Sequence, residues 1–425
     1  MFQLAAALPS SFLEKRVERF ISSWRCSEGL PWAVELWNGK RFQLCSQASV
    51  QPKVTLRIKS PKALMKLANT DLDTLGQAYA EGELDVEGHI RDAFTVVTQL
   101  VSGFGTKAAN RLRLRPVRHT HKLDEESIRH HYDVSNEFYQ QWLDEEMVYS
   151  CAYFRDAADT LEAAQQQKID HILTKIQLRP GERLLDIGCG WGALILRAAK
   201  HYGAQCTGIT LSQRQFDLAT QRVREAGLED RCKVLLMDYR DVPGKFDKIT
   251  SVGMFEHVGL NNLQAYFQKI HDLLADEGVV MNHGITSSDP ESGETPMGGG
   301  RFIDRYVFPN GELPHISLAL KEMAAGGLEA RDVENLRMHY AMTLDHWTDR
   351  FEEKGSLLRE LVGDKRYRIW RAYLAGCAYG FRQNWIALHQ IVAVKADQPH
   401  KQPLPLTREY MYAADGARQT ARSSH

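Results

Sequence analysis

The 425-residue chain has no paired-cysteine motif, no long hydrophobic run and no excess of charge of either sign. Its seven cysteines, at positions 26, 45, 151, 189, 206, 232 and 377, are odd in number, scattered and free of any CxxC spacing. That indicates neither a disulfide framework nor a structural zinc site, and a reducing, cytoplasmic setting is the default expectation. No apolar stretch approaches the ~20 residues that cross a bilayer as a helix. The N-terminal MFQLAAALPSSFLEKR has no basic residue ahead of its short apolar stretch, which argues against a secretory signal. The expectation is a soluble protein, or one peripheral to the inner face of a membrane. A formal net charge of −1 gives no whole-molecule attraction to nucleic acid or anionic lipid, so any such attraction is local. With 43% hydrophobic and 25% charged residues, the composition is that of a folded globular protein.

Within that frame the chain divides by pattern. Ser11 and Glu14 have capping-box spacing ahead of Phe12, Val17, Phe20, Ile21 and Trp24, which recur at helical intervals. WAVELW and VTLRIK read as strands, and residues 62–101 return to helical spacing. Residues 1–105 therefore read as a small α+β domain. Residues 106–123 form a basic linker. From Gly103 to Leu123 it carries Lys107, Arg111, Arg113, Arg115, Arg118 and Lys122 and no acid. It is either a solvated connection or a strip that meets lipid phosphates.

Residues 124–395 alternate between strand and helix. A helix at 159–176 precedes RLLDIG, a glycine turn and a helix; QCTGITL precedes SQRQFDLATQRVREAG, capped by Ser212 and Gln215 and ended by Gly227. KVLLMDY, FDKITSVGMF, a helix near 261–275 and GVVMNHG follow. This alternation predicts an α/β fold with a doubly wound, mostly parallel sheet. Residues 396–425 read as a loose polar tail.

The chemistry is concentrated in Asp186-Ile187-Gly188-Cys189-Gly190-Trp191-Gly192, where a buried strand meets a helix. Glycines there let the backbone turn and approach a ligand, beyond the carboxyl ends of the strands where open α/β sheets bind ligands. The GxGxG spacing is not the GxGxxG of dinucleotide sites, and Thr210 stands where a nicotinamide site places a ribose-binding acid. A cofactor with an amino-acid end and a nucleoside end fits better, its ammonium drawn to Asp186. The motif resembles the first motif of class I methyltransferases.

HHYDVSNEFYQQWLDEEMVYSCAYF, LLDIGCGWGAL, ITLSQRQ, MDYRDV, SVGMFEHVG, MNHGI and RYVFPNGELP occur in the order seen in cyclopropane-fatty-acyl-phospholipid synthases, with the mycolic-acid cyclopropane synthases as cousins. The resemblance covers about 124–395 strongly and reaches the N-terminal domain through LGQAYAEGELDVEG. It implies a Rossmann-like domain that binds S-adenosylmethionine. Tyr149 and Ser150 would meet the carboxylate end of the cofactor, and Gly188, Gly190 and Gly192 would line it. Thr210 and Gln215 would lie near the ribose, with Asp238 and Tyr239 near the adenine. It also implies a bound bicarbonate held by Cys151, Glu256, His283 and Tyr340, and a homodimer. Two departures stand out: Gly284 follows His283, and the 286–300 segment with its GGG is longer than expected.

The activity the resemblance implies is transfer of a methylene group from S-adenosylmethionine to cis double bonds of unsaturated acyl chains at a phospholipid bilayer surface, forming cyclopropanes, with the 1–105 domain binding lipid. That activity suits these residues. An alkene is a weak nucleophile, so the electrophile must be strong and the enzymatic work is orientation. Methyl transfer leaves a carbocation, and closing the ring requires loss of a proton to a base that does not trap the cation. Tyr132, Tyr149, Tyr306 and Phe308 offer aromatic faces to that cation. Cys189, Cys206, Cys232 and Cys377 read as packing, His257 as structural, and no metal site is expected. Two other readings remain open. One keeps cofactor and lipid but yields a methyl-branched or methylene product; the other is a non-catalytic lipid-binding protein.

Overall fold

The computed structural model describes residues 21, 30–44, 50–67, 71–103, 134–291, 295–309 and 311–412. The capping box at Ser11, the 107–122 strip, Tyr132 and residues 413–425 lie outside the described residues.

The N-terminal domain carries a four-stranded sheet of order β2-β1-β3-β4. Strands β1 (Trp32–Leu36) and β2 (Arg41–Leu44) form a hairpin, and β3 (Val54–Ile58) lies parallel to β1. Helices α1 (Pro61–Leu67) and α2 (Leu72–Ala80) follow, the second capped by Asp71, whose carboxylate accepts the Thr74 amide at 2.9 Å. Strand β4 (Leu84–Glu87) and helix α3 (Ile90–Gly103) complete the unit. The helical spacing expected over 62–101 is thus broken by β4. Four residues are too few for a period of two to declare itself, and Gly82, at φ 72°, turns the chain into the strand.

The second domain begins with α4 (Asn136–Gln140) and α5 (Leu161–Lys175). Strand β5 (Arg183–Ile187), helix α6 (Ala193–Tyr202), strand β6 (Gln205–Thr210), helix α7 (Gln213–Glu225) and strand β7 (Cys232–Leu236) form one parallel wing. The Ser212 hydroxyl accepts the Gln215 amide at the start of α7, and Gly227 follows its end at φ 63°. The other wing holds β8 (Phe246–Val252), α8 (Leu263–Leu273) and β9 (Leu274–Ser287). Beyond it lie α9 (Gly299–Tyr306), α10 (Ile316–Ala325), β10 (Leu328–Asn335), α11 (Arg337–Glu353), α12 (Gly355–Val362), α13 (Asp364–Arg382) and β11 (Ile386–Lys395).

The seven-stranded sheet has the order β10-β11-β9-β8-β5-β6-β7, with β11 antiparallel to β9 and to β10. Strand order reverses at β5, which is flanked by β6 and β8, so the crevice of an open α/β sheet opens beyond its carboxyl end. The glycine motif sits there. The α/β class I methyltransferase fold expected from the sequence is the fold observed. Strand β9 outruns GVVMNHG because its residues 284–287 continue pairing with β11 after β8 has ended.

The described part of the expected loose tail is packed in places. Leu404 and Met411 are buried, Arg408 pairs with Asp332 at 2.5 Å, and Tyr410 donates to the Lys175 carbonyl at 3.1 Å. The short helix α14 (Glu409–Tyr412) therefore packs on α5. Isolated apolar residues among prolines do not reveal such packing in sequence.

Candidate active site

Gly188, Gly190 and Gly192 have φ of 80°, 55° and 90°, the left-handed region in which a side chain is strained. A Cβ at Gly190 would meet no protein atom within 4 Å, because the turn borders a cavity of about 140 Å³. Tyr149, Ser150, Asp186, Gly188 and Gly190 line one side, and Thr210, Gln215 and Tyr239 line another. Thr210 donates to Gln215 Oε1 at 2.7 Å, tying the end of β6 to the first turn of α7. Two expected contacts fall outside this lining. Gly192 caps α6, and a Cβ there would press on Ala219 at 3.3 Å. Asp238 caps its own turn and accepts from Arg240 at 2.6 Å.

Asp186 is buried, accepts a hydrogen bond from Thr250 at 2.7 Å, and is pushed up to about 6 by burial. Lys168 on α5 also lines the cavity. It is 2% exposed, donates to Ser150 Oγ at 2.7 Å, and is drawn down to about 8 by burial, with Cys151, Asp144 and Asp186 opposing the shift. Sequence reasoning missed it. The available signal is its helical neighbours at i−4 and i+4, Ala164 and Ile172, which place a lysine on the apolar face. His257, expected to be structural, also lines the cavity, its ring 5.6 Å from that of Phe308.

Cys151, Glu256, His283 and Tyr340 stand behind this lining rather than in it. Cys151 follows Ser150, Glu256 precedes His257, and His283 pairs with Val252 across β8 and β9. Past the end of β8, Glu256 takes the missing strand's place and accepts the Ile285 amide at 2.7 Å. Ile285 lies opposite Leu388 of β11, whose carbonyl accepts the Leu336 amide at 2.8 Å. The Leu336 carbonyl in turn accepts the Tyr340 amide at 3.1 Å and lies 3.9 Å from Cys151 Sγ. Strand pairing and hydrogen bonds to backbone groups thus connect the segments that carry the four residues.

Burial raises Glu256 to about 7, offset by the Ile285 amide, and pushes the Cys151 thiol far up. It also holds His283 well below its ordinary value, and the charges of Lys168 and Lys175 add to the effect. Glu256 Oε2 and His283 Nε2 are buried without a hydrogen-bond partner among the described residues. Gly284, the departure noted in sequence, has a packing reason: a Cβ there would strike the Phe255 ring at 2.0 Å.

A second cavity, of about 130 Å³, lies between the two domains and is almost wholly apolar. Leu75, Gly76, Phe94 and Val97 form its N-terminal wall, and Phe302 and Tyr373 belong to the opposite one. Cys377 also lines it; burial in this apolar setting raises its thiol to about 12. The two cavities approach each other at Tyr149, whose hydroxyl is 3.4 Å from that of Tyr373.

Comparison with known proteins accords with this geometry. A family model described as mycolic acid cyclopropane synthetase matches residues 119–391, and one described as a domain of unknown function matches 23–109. A probable fatty acid methyltransferase of Pseudomonas putida is 47% identical over 387 residues, covering 90% of this chain and 96% of that protein. The cyclopropane-fatty-acyl-phospholipid synthase of Escherichia coli K12 is 39% identical over 262 residues, covering 62% of this chain and 66% of that protein. A solved mycolic acid cyclopropane synthase, complexed with SAH and CTAB, matches with a TM-score of 0.61 at 36% identity, over 64% of this chain and 98% of that one. With its glycine turn and matched length, the chain belongs to the mycolic acid cyclopropane synthetase family of S-adenosylmethionine-dependent methyltransferases.

Proposed function

We propose that the enzyme transfers a one-carbon unit from S-adenosylmethionine to a cis double bond in an unsaturated phospholipid acyl chain, closing a cyclopropane ring. The observation that carries this reading is the meeting of a cavity that holds charged and polar groups, at the glycine turn, with an almost wholly apolar cavity, at the hydroxyl pair of Tyr149 and Tyr373. A charged cofactor suits the first and an acyl chain the second.

When bound, the cofactor would supply an electrophilic methyl group. Asp186 and Lys168 present opposite charges to the ammonium and carboxylate of its amino-acid end, with Tyr149 and Ser150 beside them. Gly188 and Gly190 leave room for its backbone-like portion, while Thr210, Gln215 and Tyr239 face its nucleoside. The alkene would lie at the junction, where Tyr149, Tyr306 and Phe308 surround it; Phe308 packs edge-on to Tyr373 at 5.9 Å. Such faces stabilise a neighbouring cation by ~0.5–2 kcal/mol each. The aromatic wall also keeps out water, which would convert the cation to an alcohol.

The two partnerless atoms, Glu256 Oε2 and His283 Nε2, suit a small anion such as bicarbonate, and Cys151 and Tyr340 would complete its site. Bound there, bicarbonate would supply a weakly nucleophilic base. Glu256, poised near neutrality, would hold or release the proton. The enzyme would work as a peripheral protein at the inner face of the membrane, as a dimer, with the 1–105 domain presenting lipid to the 124–395 domain. Among the described residues no helix is long and apolar enough to cross a membrane.

One observation favours a second outcome: the relative at 47% identity is named a fatty acid methyltransferase, which fits a methyl-branched or methylene product. Incubation with methyl-labelled S-adenosylmethionine and liposomes of unsaturated phospholipid, followed by mass spectrometry of the acyl chains, separates the readings. The expected product gains one CH2 and loses the double bond. A product that keeps an unsaturation or carries a methyl branch supports the second outcome. No label in lipid, with cofactor binding intact, leaves a lipid-binding protein.

A further inference from the structure

Gln390 lies on β11 directly across from His283 on β9. On its other side is Lys175 of α5, fully buried, whose ammonium donates to Gln390 Oε1 at 2.9 Å. The same Nζ donates to Glu334 at 2.5 Å, with Asp332 at 3.7 Å. An ammonium has donors only, so the oxygen of the Gln390 amide must face it. The amide NH2 is then left to face His283 Nδ1, at 3.1 Å. An NH2 group has no lone pair to offer, so Nδ1 must accept. An imidazole that accepts at Nδ1 carries its single proton on Nε2. Nε2 is the buried atom without a partner among the described residues.

We infer that the Lys175–Gln390 pair is a positioning device that fixes His283 as its neutral Nε2–H tautomer. His283 is thereby a hydrogen-bond donor to the small anion of the site and not a proton acceptor, which leaves Glu256 as the side chain that exchanges the proton. The role toward the anion rests on the function proposed above; the tautomer does not. A second proton on His283 would set two donors against each other at 3.1 Å. The charged groups that face the ring, Lys168 and Lys175, both on α5, oppose protonation in the same direction. Its neighbours on the two flanking strands, Val252 and Gln390, are neutral.

The test is nitrogen-15 NMR of the full-length protein labelled at histidine, with the His283 signals identified by their loss in His283→Asn. The wild type is expected to show the Nε2–H pattern unchanged from about pH 6 to about pH 8, a range over which an ordinary histidine titrates. Gln390→Glu replaces the NH2 with an acceptor, so His283 should convert to the Nδ1–H or charged form. Turnover at saturating cofactor should then fall by roughly 100-fold, the scale of lost acid–base assistance, while calorimetric affinity for S-adenosylhomocysteine stays within about two-fold, because none of these residues lines the cofactor cavity. Lys175→Met releases the amide and should give a mixture of tautomers. An Nδ1–H or charged His283 in the wild type overturns the inference, and so does an Nε2–H pattern that survives Gln390→Glu. If the tautomer follows Gln390 while turnover and bicarbonate dependence do not, the lock stands and the anion-binding role of His283 is what fails.

Discussion

Glu256 owes its chemistry to where the fold leaves it. One oxygen completes the edge of β9 through the Ile285 amide, and the other is sealed from water without a partner among the described residues. Burial raises the group from 4.5 to about 7. A carboxyl raised in this way contributes stability that is full below about pH 4.5, its unfolded value, and is lost as pH rises through about 7. The ionised native state then carries a penalty of up to ~3 kcal/mol. Glu256→Gln removes that titration while keeping an acceptor for Ile285. Thermal unfolding should therefore place the variant level with wild type near pH 4, and above it near pH 8. Turnover should fall by ~100-fold or more, with cofactor affinity kept. A stability difference that does not change with pH would show that the carboxyl is solvated. The residues of YSCAYF, GMFEHVG and MNHGI were legible because each stands inside a motif. Lys168, Tyr373 and Gln390 were not, since each stands outside any motif, on a helix or strand that buries apolar and polar side chains together. Only the packing of one element on another decides what such a group touches.

Among elements, long periodic helices and the strands flanking the glycine turn were readable, and short or context-made elements were not. Strand β4 is four residues long, and the end of β9 exists because β11 pairs with it. Helix α9 starts inside the GGG of the segment that looked like a long loop, and it has a partner: Arg301 and Arg305 pair with Asp71 and Asp73 at the start of α2. Phe302 lies between those arginines and rests on Gly76, where a Cβ would meet the ring at 2.5 Å. Gly76 and Phe302 both line the apolar cavity. Gly76→Ala gains about 1 kcal/mol of helix propensity, but overpacking typically costs ~1–3 kcal/mol, so the second effect dominates. The substitution should lower lipid turnover by roughly ten-fold, about 1.4 kcal/mol in the barrier, and leave cofactor affinity unchanged. In a Phe302→Ala background, where the ring is gone, the added methyl should cost little. Calorimetry and lipid assays on the four proteins of that cycle check this coupling; equal losses in both backgrounds would show that the contact does not shape the cavity.

At the scale of the whole molecule, the apolar cavity is walled by both domains, so an acyl chain lying in it would bring its head group near the boundary between them. Helix α3 contributes Phe94, Val97 and Leu100 to that wall and ends at Gly103. Four residues later the sequence enters the strip of Lys107, Arg111, Arg113, Arg115, Arg118 and Lys122, with no acid until Asp124. The whole-chain net charge of −1 includes these six positive charges, so the remainder of the protein is net negative and as a whole is repelled by an anionic surface. Membrane recruitment, if electrostatic, therefore falls to this segment, each charge contributing up to ~1 kcal/mol near anionic lipid. Replacing Arg111, Arg113 and Arg115 with Gln should weaken binding to anionic liposomes at low salt by up to ~3 kcal/mol, roughly a hundred-fold. The loss should shrink at high salt, where the Debye length falls from ~30 Å at 0.01 M to ~3 Å at 1 M. Turnover of lipid dispersed in neutral detergent should be unaffected, because no anionic surface is involved. Vesicle sedimentation across a salt series measures the first effect, and product formation in detergent the second. Binding unchanged at every salt concentration would make the strip a solvated connection between the domains. A loss of turnover in detergent as well would mean that these arginines act inside the enzyme and not at the membrane.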